Sequence, residues 1–402
     1  MRATWNEEWL NGSRLRAYPR IVLALYVALA AAWFYLSKDL LDPSGKPLGY
    51  DFIAFWTASD LALHGRAIDA YDVDKIFAAA QGVAPGIKYL FAWHYPPVFH
   101  LAVLPLALLP YLWSYALWAA ATLALYLAVL RRIVPGPHTV WLLLAFPAAF
   151  LNLMHGQNGF ITVALLAGAC LTLERRPALA GVFIGLLCFK PQLGLLLPLV
   201  LIAGRHWIAF LSAALATAAL CVVATLVFGV ENWIAFWNNL PIQQHNLEAG
   251  LLYLFKMPTM FAAARLLGGG VTLAYALQAA VGLAVAALTL VVWYRRRGTL
   301  ALRAALLAVA LVLISPYAYD YDMVVLALPI ALVVADGLER GWMPGMRTML
   351  VAVWIAPLLL PALAEHAKLQ LMPLLLIAFF AMIYRRIGVG TARMIDHLQE
   401  LR

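Results

Sequence analysis

The sequence predicts an all-α, polytopic transmembrane protein, and three observations predict it. Of its 402 residues, 65% are hydrophobic and only 12% charged, at a mean hydropathy of +0.86. That is more apolar surface than a soluble core consumes. Apolar runs that span or nearly span a bilayer recur from residue 21 to residue 384, separated by short charged hinges. Because these runs are continuously apolar rather than alternating, they read as helices and not as barrel strands.

The first span, 21–37, begins after Arg20 and ends at Lys38-Asp39. Its basic flank and Ala28-Leu-Ala30 imitate a secretory signal, but the stretch is expected to remain as an uncleaved span. Residues 38–96 form a first periplasmic loop far longer than an ordinary connection, and such loops usually carry function. Two short helices are expected in it, 52–64 and 73–81. In the first, Phe52, Phe55, Trp56 and Leu63 share one face, the pattern of an amphipathic helix lying on the membrane surface.

Further spans are expected at 97–110, 112–130, 139–154, 158–173, 178–189, 192–204, 208–229, 272–294, 300–315, 323–335, 348–364 and 369–384, giving about twelve membrane helices. Several fall short of the roughly 20 residues a perpendicular crossing requires, and short pieces interrupted by Pro or Gly line cavities. Either 97–110 or 112–130 has to be a half-span if Arg131-Arg132 is to obey the charge rule; the sequence leaves open which. A second external segment, 230–270, has room for a re-entrant helix around Met257 to Leu267. The N-terminal twenty residues and the tail after Arg385 are expected to lie on the cytoplasmic surface. No soluble domain and no internal repeat is evident, so 1–402 reads as a single integral membrane domain.

The net charge of +9 is topological. Arg14, Arg16, Arg20, Arg131-Arg132, Arg175-Arg176, Arg205, Arg295-Arg296-Arg297, Arg340, Arg347 and Arg385-Arg386 stand at one set of hinges, as positive-inside loops do. Every Lys (38, 46, 75, 88, 190, 256, 368) falls in the other set, so nucleic acid is not an expected partner. These placements put the N-terminus in the cytoplasm and the functional loops on the extracytoplasmic side of a plasma membrane. Cys170, Cys188 and Cys221 lie inside apolar runs without CxxC spacing, which implies neither disulfide nor metal site.

Four polar clusters interrupt the apolar sequence on the lysine side: Asp51 with Asp60; Trp93-His94-Tyr95-Pro96-Pro97; His155-Gly-Gln157-Asn158 with Lys190-Pro-Gln192; and Ser315-Pro-Tyr317-Ala-Tyr319-Asp320-Tyr321-Asp322. Polar groups at membrane depth are costly and mark functional positions. Asp51 opens a helix just beyond the first span, where a lipid-linked sugar transferase needs its base; a plain helix cap is the competing role. Lys190, in a tight Lys-Pro-Gln turn, is a point cation suited to a lipid phosphate, unless it merely snorkels to the interface. His94 and Tyr95 offer further donors to that oxyanion. Gln157, Asn158, Gln192, Tyr317, Asp320, Tyr321 and Asp322 are hydrogen-bonding groups suited to sugar hydroxyls or acceptor. No P-loop, GxGxxG, HExxH or GxSxG pattern is present, so an activated donor has to arrive as a lipid rather than a nucleotide.

Asp51-Phe with Gly65 and Tyr71-Asp72, Tyr95-Pro-Pro-Val, Gly156-Gln157-Asn158-Gly159, Gly181 with Gly185 and Lys190-Pro-Gln192, and Ser315-Pro-Tyr with Tyr321-Asp322 together resemble the bacterial polyprenyl-phosphate-mannose-dependent mannosyltransferases, the PimE-like group of GT-C glycosyltransferases. The resemblance covers most of the chain from about 50 to 330. It implies a GT-C fold, an essential Asp in the first external loop, which is Asp51 here, and inverting transfer from a polyprenyl-phosphate-linked sugar to a glycolipid or glycan acceptor in a bacterial inner membrane. It implies no cofactor, with a divalent metal not indicated. The stretch 316–322 departs from the His-containing version of the group, and relatives also use polyprenyl-phosphate arabinose. A transporter or flippase of lipid-linked sugars is the chief rival from another class; a membrane polymerase or ligase of lipid-linked glycans is a nearer one.

Overall fold

The computed structural model describes the backbone of residues 11–400 and the side chains of residues 11–388. The first ten residues of the expected surface-lying N-terminus, and the side chains of most of the expected tail, lie outside the described residues. Residues 12–20, assigned to that N-terminus, instead belong to the first helix.

In chain order, α1 (Gly12–Leu36) is followed by α2 (Phe52–Leu63), α3 (Val73–Val83) and α4 (Pro97–Val103), then α5 (Tyr111–Ile133), α6 (Thr139–Leu144), α7 (Pro147–His155), α8 (Gly159–Thr172) and α9 (Pro177–Gly185). Next come α10 (Pro191–Gly194), α11 (Leu197–Ala203), α12 (Trp207–Phe228), α13 (Glu231–Glu248) and α14 (Met260–Leu266). The chain continues through α15 (Val271–Tyr294), α16 (Leu300–Ile314), α17 (Ala327–Arg340), α18 (Met346–Ala367) and α19 (Met372–Glu400). Among the described residues, six helices are long and apolar enough to cross a membrane: Gly12–Leu36, Tyr111–Ile133, Trp207–Phe228, Val271–Tyr294, Asp320–Arg340 and Met346–Ala367. Six shorter apolar helices of 10–17 residues accompany them, among them Pro97–Leu108 and Leu300–Ile314.

Prolines set the breaks. The expected span at 139–154 is two helices with Pro147 at the first position of α7, and the one at 192–204 is divided between α10 and α11. Proline has no N–H to give, so it fits a helix start and disrupts a helix interior. The stretches 97–110 and 112–130 differ in length: α5 has 23 residues, whereas α4 has 7 before the chain turns through a 3-10 segment at Leu106–Leu108. Backbone groups freed at that break need partners, because nothing in an apolar environment replaces them. The Ser59 hydroxyl supplies them, donating to the Leu104 carbonyl (2.7 Å) and accepting from the Ala107 N–H (2.9 Å).

That contact exposes a correction. The Phe52, Phe55 and Trp56 face of α2 does not lie along a surface: Phe52, Ile53, Phe55, Thr57, Ala58, Ser59 and Leu61 are all buried, so protein encloses the helix on nearly every side. Only Leu63, at its end, is well exposed. The partner helix α3 does show a one-sided pattern, with Ile76 and Ala80 buried and Asp72 capping its start through the N–H groups of Asp74 and Lys75. The segment 230–270, expected to be external, is more helical than expected, holding both α13 and the short α14, the latter capped by Thr259.

At the centre stands α16, in which every residue from Leu302 to Leu313 is buried. A helix that is apolar nearly all round belongs inside a bundle, and α16, apolar over this stretch but for Arg303, packs against α15, α17 and α19. Elsewhere close packing relies on small residues. Lipid tails are as apolar as leucine, so helices associate in a membrane through backbone proximity rather than hydrophobic drive. Gly181 and Gly185 bring α9 against α12: a Cβ on Gly185 would lie 2.7 Å from both the Ala213 carbonyl and the Ala216 side chain. The Ser212 hydroxyl donates across this seam to the Ala178 carbonyl (2.7 Å).

Gly185→Leu is expected to push α9 away from α12 and lower stability by about 1–3 kcal/mol, the usual cost of overpacking. Thermal unfolding of the purified variant in detergent measures this, and an unchanged midpoint contradicts the packing described.

Candidate functional site

The polypeptide reaches Asp51 through a tightly bonded turn. The Asp42 carboxylate accepts from the Ser44 N–H (2.8 Å), the Ser44 hydroxyl (2.6 Å), the Lys46 N–H (3.0 Å) and the Tyr50 hydroxyl (3.2 Å). Tyr50 sits at φ 42, an uncommon conformation for a residue with a Cβ. The Tyr111 hydroxyl donates to the Leu48 carbonyl. Asp51 thus enters α2 from a fixed direction.

Its side chain does not cap the helix: Asp51 has helical backbone angles and makes no capping hydrogen bond. Instead Oδ2 receives the Gln157 Nε2 amide (3.0 Å) and lies 3.2 Å from His155 Nδ1. Oδ1 bonds to no described residue and is not sealed off, and a quarter of the side chain is accessible (25%). One oxygen is anchored and the other is open. Burial opposes ionisation of this carboxyl, but the bonds and charge of His155, the Gln157 amide and the nearby Lys256 cation outweigh it and hold the pKa below the ordinary carboxylate value.

The anchoring groups depend on Gly156, which adopts φ +58 at the end of α7. A Cβ there would come within 2.5 Å of the Phe52 Cβ, so only glycine lets this turn meet the start of α2. Trp118 Nε1 donates to the Gly156 carbonyl (2.9 Å) and the Tyr115 hydroxyl to that of Leu153 (2.8 Å), clamping the turn from α5. The His155 ring packs between those of Tyr50 (4.9 Å) and Tyr321 (5.2 Å), within a file that continues to Trp33 on one side and Tyr319 on the other.

From Asp51 the hydrogen bonds lead onward. Gln157 Oε1 accepts from the Tyr95 hydroxyl (3.1 Å), and Tyr95 is itself held by the Tyr71 hydroxyl, which donates to its carbonyl (2.9 Å). Tyr95 lies within electrostatic reach of both Asp51 and Asp322. The Lys190 ammonium, almost fully buried, donates to Asp322 Oδ1 at 2.7 Å. Asp322 Oδ2 accepts from the Tyr319 N–H (3.1 Å) and so fixes the start of the 3-10 segment Asp320–Leu326. An ammonium has three donors; Lys190 gives one to Asp322 and none to any other described residue.

His94 is exposed and faces the electrostatic field of Asp51, yet desolvation by surrounding protein pushes its pKa down to about 4 against the pull of that carboxylate. It is therefore a neutral hydrogen-bonding group near pH 7. Asn158 is fully buried beside the Tyr95 hydroxyl, with neither amide atom bonded. Asp320 is buried and receives the Tyr321 N–H (2.9 Å). Two expected residues stand apart: Gln192 is half-buried without a hydrogen bond, and the Tyr317 hydroxyl donates to the Gln243 carbonyl of α13, tying loop to helix.

The structure thus gathers Asp51, Tyr95, Gln157, Lys190, Tyr321 and Asp322, with His94 and Asn158 at their margin. It adds two residues to which the sequence assigned no role, His155, named there only as part of a polar cluster, and Lys256. Among the described residues no three His, Cys, Asp or Glu side chains converge to hold a metal ion.

Residues 93–316, more than half of the chain, match the family model of glycosyltransferase family 87. No curated protein and no solved structure matches the chain. The matched stretch carries His94, Tyr95, His155, Gln157 and Lys190, while Asp51 precedes it and Asp320 and Asp322 follow it. The chain is a membrane-helix protein that belongs to glycosyltransferase family 87.

Proposed function

We propose that this glycosyltransferase moves a sugar, mannose in the first instance, from a polyprenyl-phosphate donor to a hydroxyl of a glycolipid or glycan, with inversion at the anomeric carbon. The single observation that carries the reading is the divided Asp51 carboxylate: His155 and Gln157 hold one oxygen, and the other remains open in a chain whose family transfers sugars. Asp51 Oδ1 accepts the proton of the acceptor hydroxyl as its oxygen bonds to the anomeric carbon. The bond from that carbon to the phosphate oxygen breaks, and the electron pair leaves with the lipid phosphate. The two unspent donors of Lys190, with the Tyr95 hydroxyl and neutral His94, receive the growing negative charge. A carboxylate with a depressed pKa is a weak base, which suits a transfer in which the acceptor gives up its proton late.

The membrane arrangement proposed with it is a GT-C fold of twelve crossings in a bacterial inner membrane. If the six long helices cross together with α6–α7, α8, α9, α10–α11, α16 and α19, while α4 turns back, the hinges at Arg131, Arg175, Arg205, Arg295, Arg340 and Arg385 all fall on one side. By the positive-inside rule that side is cytoplasmic. Asp51, Gln157, Lys190 and Asp322 then share the extracytoplasmic side, within reach of a donor whose tail stays in the bilayer.

With radiolabelled polyprenyl-phosphate mannose and membranes holding equal amounts of protein, Asp51→Asn is expected to reduce transfer by about 10²–10⁴-fold, the usual contribution of general base catalysis. Turnover near that of the parent removes the assignment. Lys190→Met is expected to lower kcat/KM for the donor about 10²-fold; an unaltered value would place the phosphate elsewhere.

The pH profile tests the role of His155. Asp51 acts as its carboxylate, so activity is lost on the acid side as pH falls through its pKa, which lies below the ordinary value in the parent. In His155→Ala desolvation is left less opposed, and the acid limb of kcat/KM is expected to move up by about one pH unit or more. A limb that stays in place means that His155 does not tune Asp51.

A further inference from the structure

At the end of α8 remote from Asn158, three hinges meet: 174–176, 204–206 and 295–298, which together carry six arginines and one glutamate. The Arg296 guanidinium donates from Nη2 to the Gly204 carbonyl (3.0 Å), tying the third hinge to the second. Glu174, from the first, lies within electrostatic reach of both His206 and Arg303. Arg303 stands one turn into α16 and is buried, with 7% of its surface accessible. Its Nε and Nη1 are sealed off without a hydrogen-bond partner, and its Nη2 is unbonded yet not sealed. No described carboxylate forms an ion pair with it.

An aromatic floor holds this cation in place. The guanidinium lies over the Trp293 ring, 5.2 Å from its centroid, while Trp293 Nε1 donates to the Arg303 carbonyl (3.2 Å). The ring offsets part of the cost of burying the charge but uses none of the five N–H donors. The His206 ring meets that of Trp293 edge-on (5.9 Å), and its Nε2 is also buried without a partner. Gly204 lets the turn come this close: a Cβ there would lie 2.7 Å from the His206 ring and 3.1 Å from that of Trp293. Beside the arginine begins an apolar crevice of about 40 Å³, walled by Trp293, Leu300, Ala304 and Leu307 and by Leu173 and Leu201 from the ends of α8 and α11. It has room for about three methylene-sized groups. The surface outside it is apolar as well, with Leu199, Ile202, Trp207 and Ile208 exposed on α11 and α12.

We propose that this corner binds one anionic phospholipid, its phosphodiester head group against Arg303 Nη2 and Arg296 and a few carbons of its chain in the crevice. A buried cation without a partner costs stability. A phosphodiester supplies what Arg303 lacks, acceptor oxygens that carry a negative charge. Basic pockets between helices at the cytoplasmic boundary take such head groups. That this boundary is the cytoplasmic one rests on the membrane orientation proposed above; the site itself rests on the meeting of the three hinges. A phosphodiester free in water reaches the same nitrogen but gains nothing from the crevice or from the apolar surface around it. Glu174 is exposed and makes no contact with Arg303, so it leaves the arginine to the lipid.

The test uses the full chain purified in an uncharged detergent and three probes: dioleoyl phosphatidylglycerol, phosphatidylcholine with the same chains, and glycerophosphoglycerol, the head group without chains. Native mass spectrometry is expected to show saturable binding of one phosphatidylglycerol, at least about tenfold tighter than either of the other probes. Arg303→Met is expected to weaken that binding at least about tenfold, and Arg296→Gln about threefold to fivefold. Thermal unfolding separates a lipid site from a merely structural arginine. Without added lipid, Arg303→Met is expected to melt at or above the parent midpoint, because it removes an unpaired buried charge. Phosphatidylglycerol is expected to raise the midpoint of the parent and leave that of Arg303→Met in place. Should Arg303→Met not fold, Arg296→Gln, on the exposed turn, decides. Equal binding of the two lipids, or arginine variants that bind as the parent does, would overturn the site. Glycerophosphoglycerol bound as tightly as the lipid would overturn the membrane as the source of the ligand. A loss of lipid-free stability in both Glu174→Gln and Arg303→Met would make those two side chains each other's partners and overturn the proposal.

Discussion

The contact on which the site depends is the one between Asp51 and the 155–157 turn. It joins the entry to α2 to the end of α7 through a single carboxylate oxygen, and it exists only because Gly156 leaves room for Phe52. The chain gives up a helix cap at Asp51 to make it. A cap contributes about 1 kcal/mol, so the carboxylate is directed by long-range geometry at the expense of a local interaction. Such a departure from local preference marks functional positions. Around it, aromatic stacking and the clamps from Trp118 and Tyr115 fix the His155 ring and the turn backbone, so that the open oxygen keeps a defined direction.

Much of this was legible in the sequence. Apolar runs placed four of the long helices, α5, α12, α15 and α18, to within three residues at each end, whereas α1 begins nine residues before the expected span and the break at Pro147 was not foreseen. Asp51, Lys190 and the 315–322 segment stood out because charge inside an apolar chain has few structural excuses. Which of these residues pair with one another did not stand out, for a simple reason. The His155, Gln157 and Lys190 contacts connect residues 104, 106 and 132 positions apart, and no local pattern encodes a pairing across that distance. Lys256 was hidden the same way, since its meaning depends on which carboxylates surround it.

The misreading of α2 is instructive in physical terms. Phe and Trp on one face look the same whether they meet headgroups or other side chains. The distinction lay in the small polar residues. Ser59, placed opposite the break after α4, satisfies backbone groups that only an enclosed helix can reach. A surface helix would have left Thr57 and Ser59 to water; here both are buried.

Asp322 ties two functions into one group. With one oxygen it neutralises Lys190, and with the other it secures the first turn of the segment that carries Asp320. An anion that engages Lys190 draws on the same charge that Asp322 uses, and loosens the lysine's grip on that carboxylate. The other oxygen of that carboxylate holds the amide of Tyr319, the residue immediately before Asp320. The lysine and the first turn of the segment that carries Asp320 thus share a single carboxylate, one oxygen each.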